Sequence, residues 1–192
     1  MKPVGVVLAG GRSSRMGGGD KGLLKLNGVS MLERILAIVQ PQTEAVLINS
    51  NSDPMKFEEF DAPVLADCVP GYLGPLAGLL TGMMWARQYH PRATHLLSAP
   101  CDSPYLPGDL AARLAKGLAG GEIAIARDSE RLHPTLGLWP IAFADRLAED
   151  LVCRDMRRVR AWLAQFPVRE IMFDAACLQN INTHDDFAAL SG

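Results

Sequence analysis

The chain has 192 residues, of which 48% are hydrophobic and 21% are charged, so its composition is that of a globular protein and excludes disordered and fibrous classes. A formal net charge of −2 argues against a nucleic-acid coat and a polybasic membrane patch, and the apolar runs fall short of the roughly 18 residues that a spanning helix needs. We therefore expect a cytoplasmic protein with no nucleic-acid partner and no membrane partner.

The first half of the chain alternates short apolar strands with helical segments. Val4–Ala9 predicts a strand that is buried on both faces, and a glycine-rich loop follows it. Ser30 and Glu33 form a capping-box pattern, which predicts a helix that ends before Pro41. Similar patterns predict strands at Ala45–Ile48, Val64–Leu65 and His95–Ser98, and a helix after Gly74–Pro75 whose buried stripe is Leu76, Leu79, Leu80, Met83 and Met84.

The second half continues the alternation. Its patterns predict helices at Asp109–Leu118, Ala142–Leu151 and Met156–Ala164, strands at Ile123–Ala126, Thr135–Trp139 and Arg169–Phe173, and a terminal helix capped by Thr183 and Asp186. Because parallel strands need crossover connections of this length, we predict a three-layer α/β/α Rossmann-like fold with a mostly parallel sheet. No repeat or linker divides the chain, so we expect one domain over residues 1–192. Ligands of such sheets bind beyond the carboxyl ends of the strands.

The segment from Leu8 to Gly22 carries the strongest chemical signal. It is dense in glycine, which lets backbone N–H groups converge on a polyphosphate, and Arg15 and Lys21 add positive charge. A P-loop is excluded, because Lys21 is followed by Gly22 and not by serine or threonine. A merely flexible surface loop would seldom combine this glycine density with two cations directly after the first strand. We therefore predict a triphosphate-binding loop.

This loop resembles that of the molybdenum cofactor guanylyltransferases. Their pattern, LAGG-x-x-x-RMGG-x-DK, is met at every fixed position from Leu8 to Lys21. The related cytidylyltransferases of the same cofactor have LAAG instead, so Gly10 and Gly11 favour GTP over CTP. Further matches follow at Gly74–Gly78, Pro100–Pro104 and Asn180–Thr183, so that the resemblance extends almost from end to end.

Asp102 follows the fourth predicted strand and lies between Pro100 and Pro104. An aspartate in such a place is most often a turn former or a helix cap. Beside a phosphate-binding loop, however, its hard carboxylate oxygens are ligands that Mg²⁺ takes while it keeps water and phosphate oxygens. We expect Asp102 to bind Mg²⁺, with Mn²⁺ as the alternative ion, since both accept oxygen ligands.

Two polar residues at strand exits are candidates for nucleoside recognition. Guanine presents N1–H and N2–H₂ side by side, so the Asp67 carboxylate could accept both hydrogen bonds, whereas adenine lacks that pair. The alternative for Asp67 is a simple strand terminator. Asn49 could contact the base or the ribose, or else only tolerate a turn conformation. The resemblance favours GTP binding for both residues.

The acceptor side is less marked in the sequence. Asn180 and Asn182 are two residues apart, so an extended segment would present both amides to a pterin on one face. The alternative is an Asx-turn pair before the last helix. Arg157 and Arg158 could meet the pterin phosphate, although a basic helix face also describes this segment.

The resemblance implies transfer of GMP from GTP to the terminal phosphate of molybdopterin, with release of pyrophosphate. That acceptor phosphate is largely dianionic at neutral pH, which explains why no strong catalytic base is evident. We place nucleotide binding at about residues 1–105 and acceptor binding at about 106–192, with recipient molybdoenzymes or their chaperones as candidate partners. A CTP- or sugar-phosphate-using nucleotidyltransferase and a non-catalytic nucleotide-binding module are the alternatives. The expected catalytic residues are Lys21, Arg15 and Asp102; the expected GTP-binding residues are Leu8, Ala9, Gly10, Gly11, Lys21, Asn49, Asp67 and Asp102; the expected molybdopterin-binding residues are Asn180, Asn182 and Arg158.

Overall fold

A computed structural model describes residues 2–10, 20–71 and 73–181, and these form nine strands and five α-helices. The strands are β1 (Val4–Leu8), β2 (Lys25–Leu26), β3 (Val29–Ser30), β4 (Val46–Asn49), β5 (Val64–Leu65), β6 (His95–Pro100), β7 (Ile123–Arg127), β8 (Leu132–Pro140) and β9 (Val168–Met172). The helices are α1 (Met31–Val39), α2 (Pro75–Tyr89), α3 (Leu110–Ala115), α4 (Ala144–Cys153) and α5 (Val159–Leu163).

Seven of these strands form one sheet in the order β5-β4-β1-β6-β8-β7-β9. Strand β8 runs antiparallel to β6 and β7, and the other neighbours in this sheet pair in parallel. Helices α2, α4 and α5 pack on one face of the sheet, and α1 and α3 pack on the other. The predicted three-layer α/β/α fold with a mostly parallel sheet is therefore confirmed.

Local sequence signals explain where the main helices begin. The Ser30 side chain accepts a hydrogen bond from Glu33 N at 3.1 Å, which is the predicted cap of α1. Helix α2 begins with Pro75 at its first position, after Gly74 with φ of 75°, a conformation that favours glycine. Among residues 2–10, 20–71 and 73–181, no helix combines the length and the apolar character needed to cross a membrane.

Several predicted elements differ from the structure. Met84 is 44% exposed and does not belong to the buried stripe of α2, since it lies about 100° around the helix from its buried neighbour Met83. Helix α3 is shorter than predicted, because Lys116 is extended and Gly117 follows with φ of 68°. Helix α5 begins only at Val159, after Arg158 in an extended conformation. The predicted terminal helix lies outside the described residues.

Strands β2 and β3 form a small hairpin that the sequence analysis missed. The two-residue turn is Asn27–Gly28, and both residues have positive φ, 53° and 81°. This is the sequence and backbone conformation preferred in tight hairpins. The hairpin leads directly from the residues around Lys21 into helix α1.

The carboxyl ends of β1, β4, β5 and β6 meet at one edge of the sheet. Asn49 is the last residue of β4, Asp67 follows β5 by two residues, and Asp102 follows β6 by two residues. The glycine-rich loop leaves β1 at the same edge. The fold therefore brings the polar strand exits predicted from the sequence to one side of the sheet.

Candidate active site

Lys21 and Asp102 lie in direct contact, although 81 residues separate them in the chain. Lys21 Nζ donates to Asp102 Oδ2 at 3.0 Å, and the two side chains are 17% and 20% exposed. Lys21 opens a short 3₁₀ helix, Lys21–Leu23, directly after the glycine-rich segment. The cation of the predicted phosphate loop thus faces the carboxylate predicted to bind metal.

The second carboxylate oxygen of Asp102, Oδ1, is buried and has no hydrogen-bond partner among the described residues. A buried carboxylate oxygen without a donor is costly unless a ligand satisfies it. No group of three or more His, Cys, Asp or Glu side chains within residues 2–10, 20–71 and 73–181 could hold a metal ion by itself. Asp102 therefore fits a Mg²⁺ or Mn²⁺ ion that takes its remaining ligands from water and phosphate.

The segment around Asn180 returns to the loop that carries Asp102. Ile181 N donates to Asp102 O at 2.9 Å, and Ser103 Oγ donates to Asn180 Oδ1 at 2.9 Å. The Ile181 side chain is fully buried with Leu26 and Met31. Packing of Ile181 thus fixes Asn180 next to the candidate metal ligand.

Cys101 precedes Asp102 but is not a candidate nucleophile. Burial, with a smaller effect from the Asp102 charge, raises the pKa of the Cys101 thiol to about 12. A thiol with such a pKa stays protonated at neutral pH, and the thiolate is the nucleophilic form. The Cys101 thiol is therefore not a nucleophile at this edge of the sheet.

A second polar cluster surrounds Asp67. Asn49 Nδ2 donates to Asp67 Oδ1 at 3.0 Å, and Asn51 Nδ2 donates to Asp67 Oδ2 at 2.8 Å. Asn51 Oδ1 also accepts from Asp67 N at 2.8 Å. An ionised carboxylate has about four lone-pair sites, so both Asp67 oxygens can still accept further hydrogen bonds. These contacts hold the Asp67 carboxylate in a defined orientation.

Asn49 is buried beneath helix α2, at 3% exposure, and Gly78 makes room for it. A Cβ atom at Gly78 would overlap Asn49 Oδ1 and would lie 2.7 Å from Leu8 Cδ2. The place of Asn49 in the site therefore depends on a glycine in this turn of α2.

We expect Gly78→Ala to displace Asn49 and, through it, Asp67. Overpacking of this kind costs about 1–3 kcal/mol of stability, which thermal unfolding would detect. The folded variant should also bind GTP more weakly than the parent chain, and calorimetric titration measures this affinity. The control is Gly108→Ala, because a Cβ at Gly108 meets nothing within 4 Å. Equal GTP affinity in Gly78→Ala and the parent chain would contradict this account of Asn49.

Asp20, the residue before Lys21, is joined to the segment after β4. Its carboxylate accepts hydrogen bonds from Ser52 Oγ and, at 2.8 Å, from Lys56 Nζ. Although burial opposes ionisation, the hydrogen bonds from Lys56 and Ser52 lower the pKa of Asp20 below its usual value. Asp20 is therefore a carboxylate at neutral pH, and its pairing with Lys56 is ionic.

The structure places the other predicted site residues as follows. Leu8 ends β1, which lies between β4 and β6, and Ala9 and Gly10 follow it. Ala9 N donates to Asn49 O at 2.9 Å, and Leu8 O accepts from Cys101 N at 3.1 Å. Arg158 is exposed before α5, and no described contact joins it to Lys21 or Asp102. Gly11, Arg15 and Asn182 lie outside the described residues.

Sequence reasoning missed the supporting residues Asn51, Ser52 and Lys56. A signal for Asn51 was present, because it stands two residues after Asn49 at a strand exit. The sequence gives no comparable signal for Ser52 or Lys56, since their partner Asp20 is more than 30 residues away in the chain.

Comparison with known proteins identifies the family. A family model described as "MobA-like NTP transferase domain" matches residues 5–169. A molybdenum cofactor guanylyltransferase from Mesorhizobium japonicum is 45% identical over 192 residues, which cover 96% of this chain and 92% of that relative. Among solved structures, molybdopterin-guanine dinucleotide biosynthesis protein A from Archaeoglobus fulgidus has a TM-score of 0.75 at 20% identity, covering 98% of this chain and 96% of that one. A Mycobacterium tuberculosis protein solved in complex with manganese has a TM-score of 0.70 at 21% identity, covering 99% and 98%. The chain belongs to the molybdenum cofactor guanylyltransferases, within the family of MobA-like NTP transferase domains.

Proposed function

We propose that this chain transfers GMP from GTP to molybdopterin and releases pyrophosphate. The names of its relatives support this reaction, as does the match to an NTP transferase domain. The observation that carries the proposal is the contact between Lys21 and Asp102 at the carboxyl edge of the sheet. It provides a cation for the triphosphate and a carboxylate for its divalent ion at one place.

The reaction is an in-line displacement at the α-phosphorus of GTP. An oxygen of the acceptor phosphate forms the new bond to phosphorus, and the bond between the α-phosphorus and the bridging oxygen breaks, so that pyrophosphate leaves with the electron pair. The acceptor is already largely dianionic, so no residue need take a proton from it. Lys21, with Arg15, would neutralise the charge that builds up on the departing pyrophosphate.

The metal site of the proposal consists of Asp102 and the nucleotide. The unpartnered Oδ1 of Asp102 is the atom best suited to contact a divalent ion. When bound, Mg²⁺ would offset the charge of the triphosphate, and Mn²⁺ is the alternative. Asp102 now shares Oδ2 with Lys21, so binding of nucleotide and metal would turn Lys21 toward the phosphates.

The base and the acceptor would contact different sets of residues. The Asp67 carboxylate, held by Asn49, would accept hydrogen bonds from N1–H and N2–H₂ of guanine. Leu8, Ala9, Gly10 and Gly11 would contact the nucleotide along the glycine-rich loop. Nucleotide binding would then occupy about residues 1–105 and acceptor binding about 106–192. Asn180, Asn182 and Arg158 are the proposed molybdopterin contacts.

GTP is a cytoplasmic metabolite, so we place the reaction in the cytoplasm. The product would pass to recipient molybdoenzymes or to their chaperones.

A test of the proposal measures pyrophosphate release with molybdopterin, Mg²⁺ and one nucleotide at a time. We expect release with GTP and the appearance of the pterin dinucleotide by mass spectrometry, with much slower release for CTP and UTP. Faster turnover with CTP or with a sugar phosphate as acceptor would favour the related nucleotidyltransferases. Binding of GTP without any release would favour a non-catalytic module.

A further inference from the structure

The segment Asn51–Lys56, which we call the bridging segment, joins the two polar clusters of the site. At its beginning, Asn51 forms the two hydrogen bonds with Asp67. The next residue, Ser52, donates to Asp20, and Lys56 forms an ion pair with the same carboxylate. Asp67 belongs to the proposed base site, and Asp20 directly precedes the proposed phosphate-binding Lys21.

The bridging segment is itself well anchored in the fold. Before it, Ser50 is buried, and Ser50 N donates to Leu65 O at 3.0 Å. Within it, Asp53 Oδ1 accepts from Met55 N at 3.0 Å and caps the short 3₁₀ helix Pro54–Phe57. After it, Phe57 is 1% exposed and packs in the core between the sheet and α1. A segment fixed at both ends can hold its contacts in a defined place.

The conformation of Asp20 also points to a positioning role. Asp20 is the residue before the 3₁₀ helix that starts at Lys21, and aspartate at such a position commonly caps the helix with its side chain. The Asp20 side chain makes no capping hydrogen bond and extends to Ser52 and Lys56 instead. The contact with the bridging segment therefore replaces a local stabilising interaction.

We propose that the bridging segment positions both ends of the bound nucleotide: Asn51 orients the Asp67 carboxylate for base selection, and Ser52 with Lys56 holds Asp20 and thereby places Lys21. This inference rests on the proposed function, because Asp67 and Lys21 receive their substrates there. Neither Asn51 nor Lys56 touches the reacting atoms in this account; both are positioning residues.

The role of Asn51 in base selection is tested with Asn51→Ala and two nucleotides, GTP and inosine triphosphate. The latter lacks the exocyclic amino group that Asp67 is proposed to contact. We expect KM for GTP to rise by about 5- to 10-fold, the effect of losing one typical hydrogen bond, with kcat little changed. The preference for GTP over inosine triphosphate should shrink, which a general loss of structure would not cause. The matched control is Gln40→Ala, which removes a surface amide that donates to Asp61 O at 3.2 Å.

The role of Ser52 and Lys56 in placing Lys21 is tested with Ser52→Ala and Lys56→Met. We expect kcat to fall by about 5- to 10-fold, because Lys21 is less well placed, while the preference for GTP over inosine triphosphate stays as in the parent chain. The conservative variants Ser52→Thr and Lys56→Arg should restore most of the rate. Lys116→Met, which removes an exposed lysine after α3, is the control and should behave as the parent chain.

Thermal unfolding of every variant shows whether it is folded at the assay temperature. If the parent chain uses GTP selectively and the Asn51, Ser52 and Lys56 variants match it, the positioning inference is wrong and the proposed function stands. If all these variants lose kcat and base preference together, separate positioning of the two ends is overturned. If the parent chain neither binds nor uses GTP, both the proposed function and the inference are overturned.

Discussion

Replacement of Lys21 by alanine should lower kcat by about 10²- to 10³-fold, the usual effect of removing one group that stabilises transition-state charge. The Lys21 ammonium is the described cation in contact with Asp102, so its loss leaves the departing pyrophosphate less well neutralised. The fold should survive with a stability loss of about 1–3 kcal/mol, because removal of Lys21 leaves a largely buried carboxylate oxygen of Asp102 without this donor. Steady-state pyrophosphate release, together with a melting curve, measures both effects.

Lys25→Ala is the matched control for Lys21→Ala. Lys25 is exposed in β2, four residues further along the chain, and it should be dispensable for turnover. Full activity in folded Lys21→Ala would reject the role of Lys21. Equal losses in the two variants would show that the effect comes from general surface charge and not from the contact with Asp102.

Replacement of Asp102 by asparagine should have the second large effect. The amide keeps the shape of the side chain but removes the charge that a divalent ion requires. Metal assistance is worth several kcal/mol, so kcat should fall by about 10³-fold at ordinary Mg²⁺ concentrations. The concentration of Mg²⁺ or Mn²⁺ needed for half-maximal activity should rise as well, and metal titration of the variant measures that rise.

Asp109→Asn is the matched control for Asp102→Asn. Asp109 lies before α3, its side chain makes no capping hydrogen bond there, and its replacement should leave the metal dependence unchanged. An Asp102→Asn protein with unaltered metal dependence would show that another group binds the ion. Loss of folding in Asp102→Asn would instead give Asp102 a structural role.

The sequence was sufficient to predict that the glycine-rich loop and Asp102 lie at the same edge of the sheet. The loop and Asp102 each follow a buried apolar strand, and the carboxyl ends of neighbouring parallel strands share one edge of a sheet. The register of β1 with β6, from Val4 opposite Leu96 to Leu8 opposite Pro100, brings their exits side by side. Strand pattern and crossover length were enough for that inference.

Other features depend on tertiary packing, which residue patterns do not encode. Met83 and Met84 are equally apolar, and only the rotation of α2 against the sheet decides that Met84 faces outward. The contacts of Asp67 with Asn51, and of Asp20 with Lys56, depend on the path of the segment after β4. The Asn27–Gly28 turn, in contrast, is a local hairpin signal that the sequence does carry, and it was missed because the flanking strands have only two residues each, too few for an alternating pattern.

A crystal structure with a non-hydrolysable GTP analogue and Mn²⁺ tests the central claim most directly, because anomalous scattering locates the manganese. We expect the ion within about 2.2 Å of an Asp102 carboxylate oxygen, the triphosphate in contact with Lys21, and the guanine edge against Asp67. A triphosphate and ion that touch neither Lys21 nor Asp102 would contradict the account.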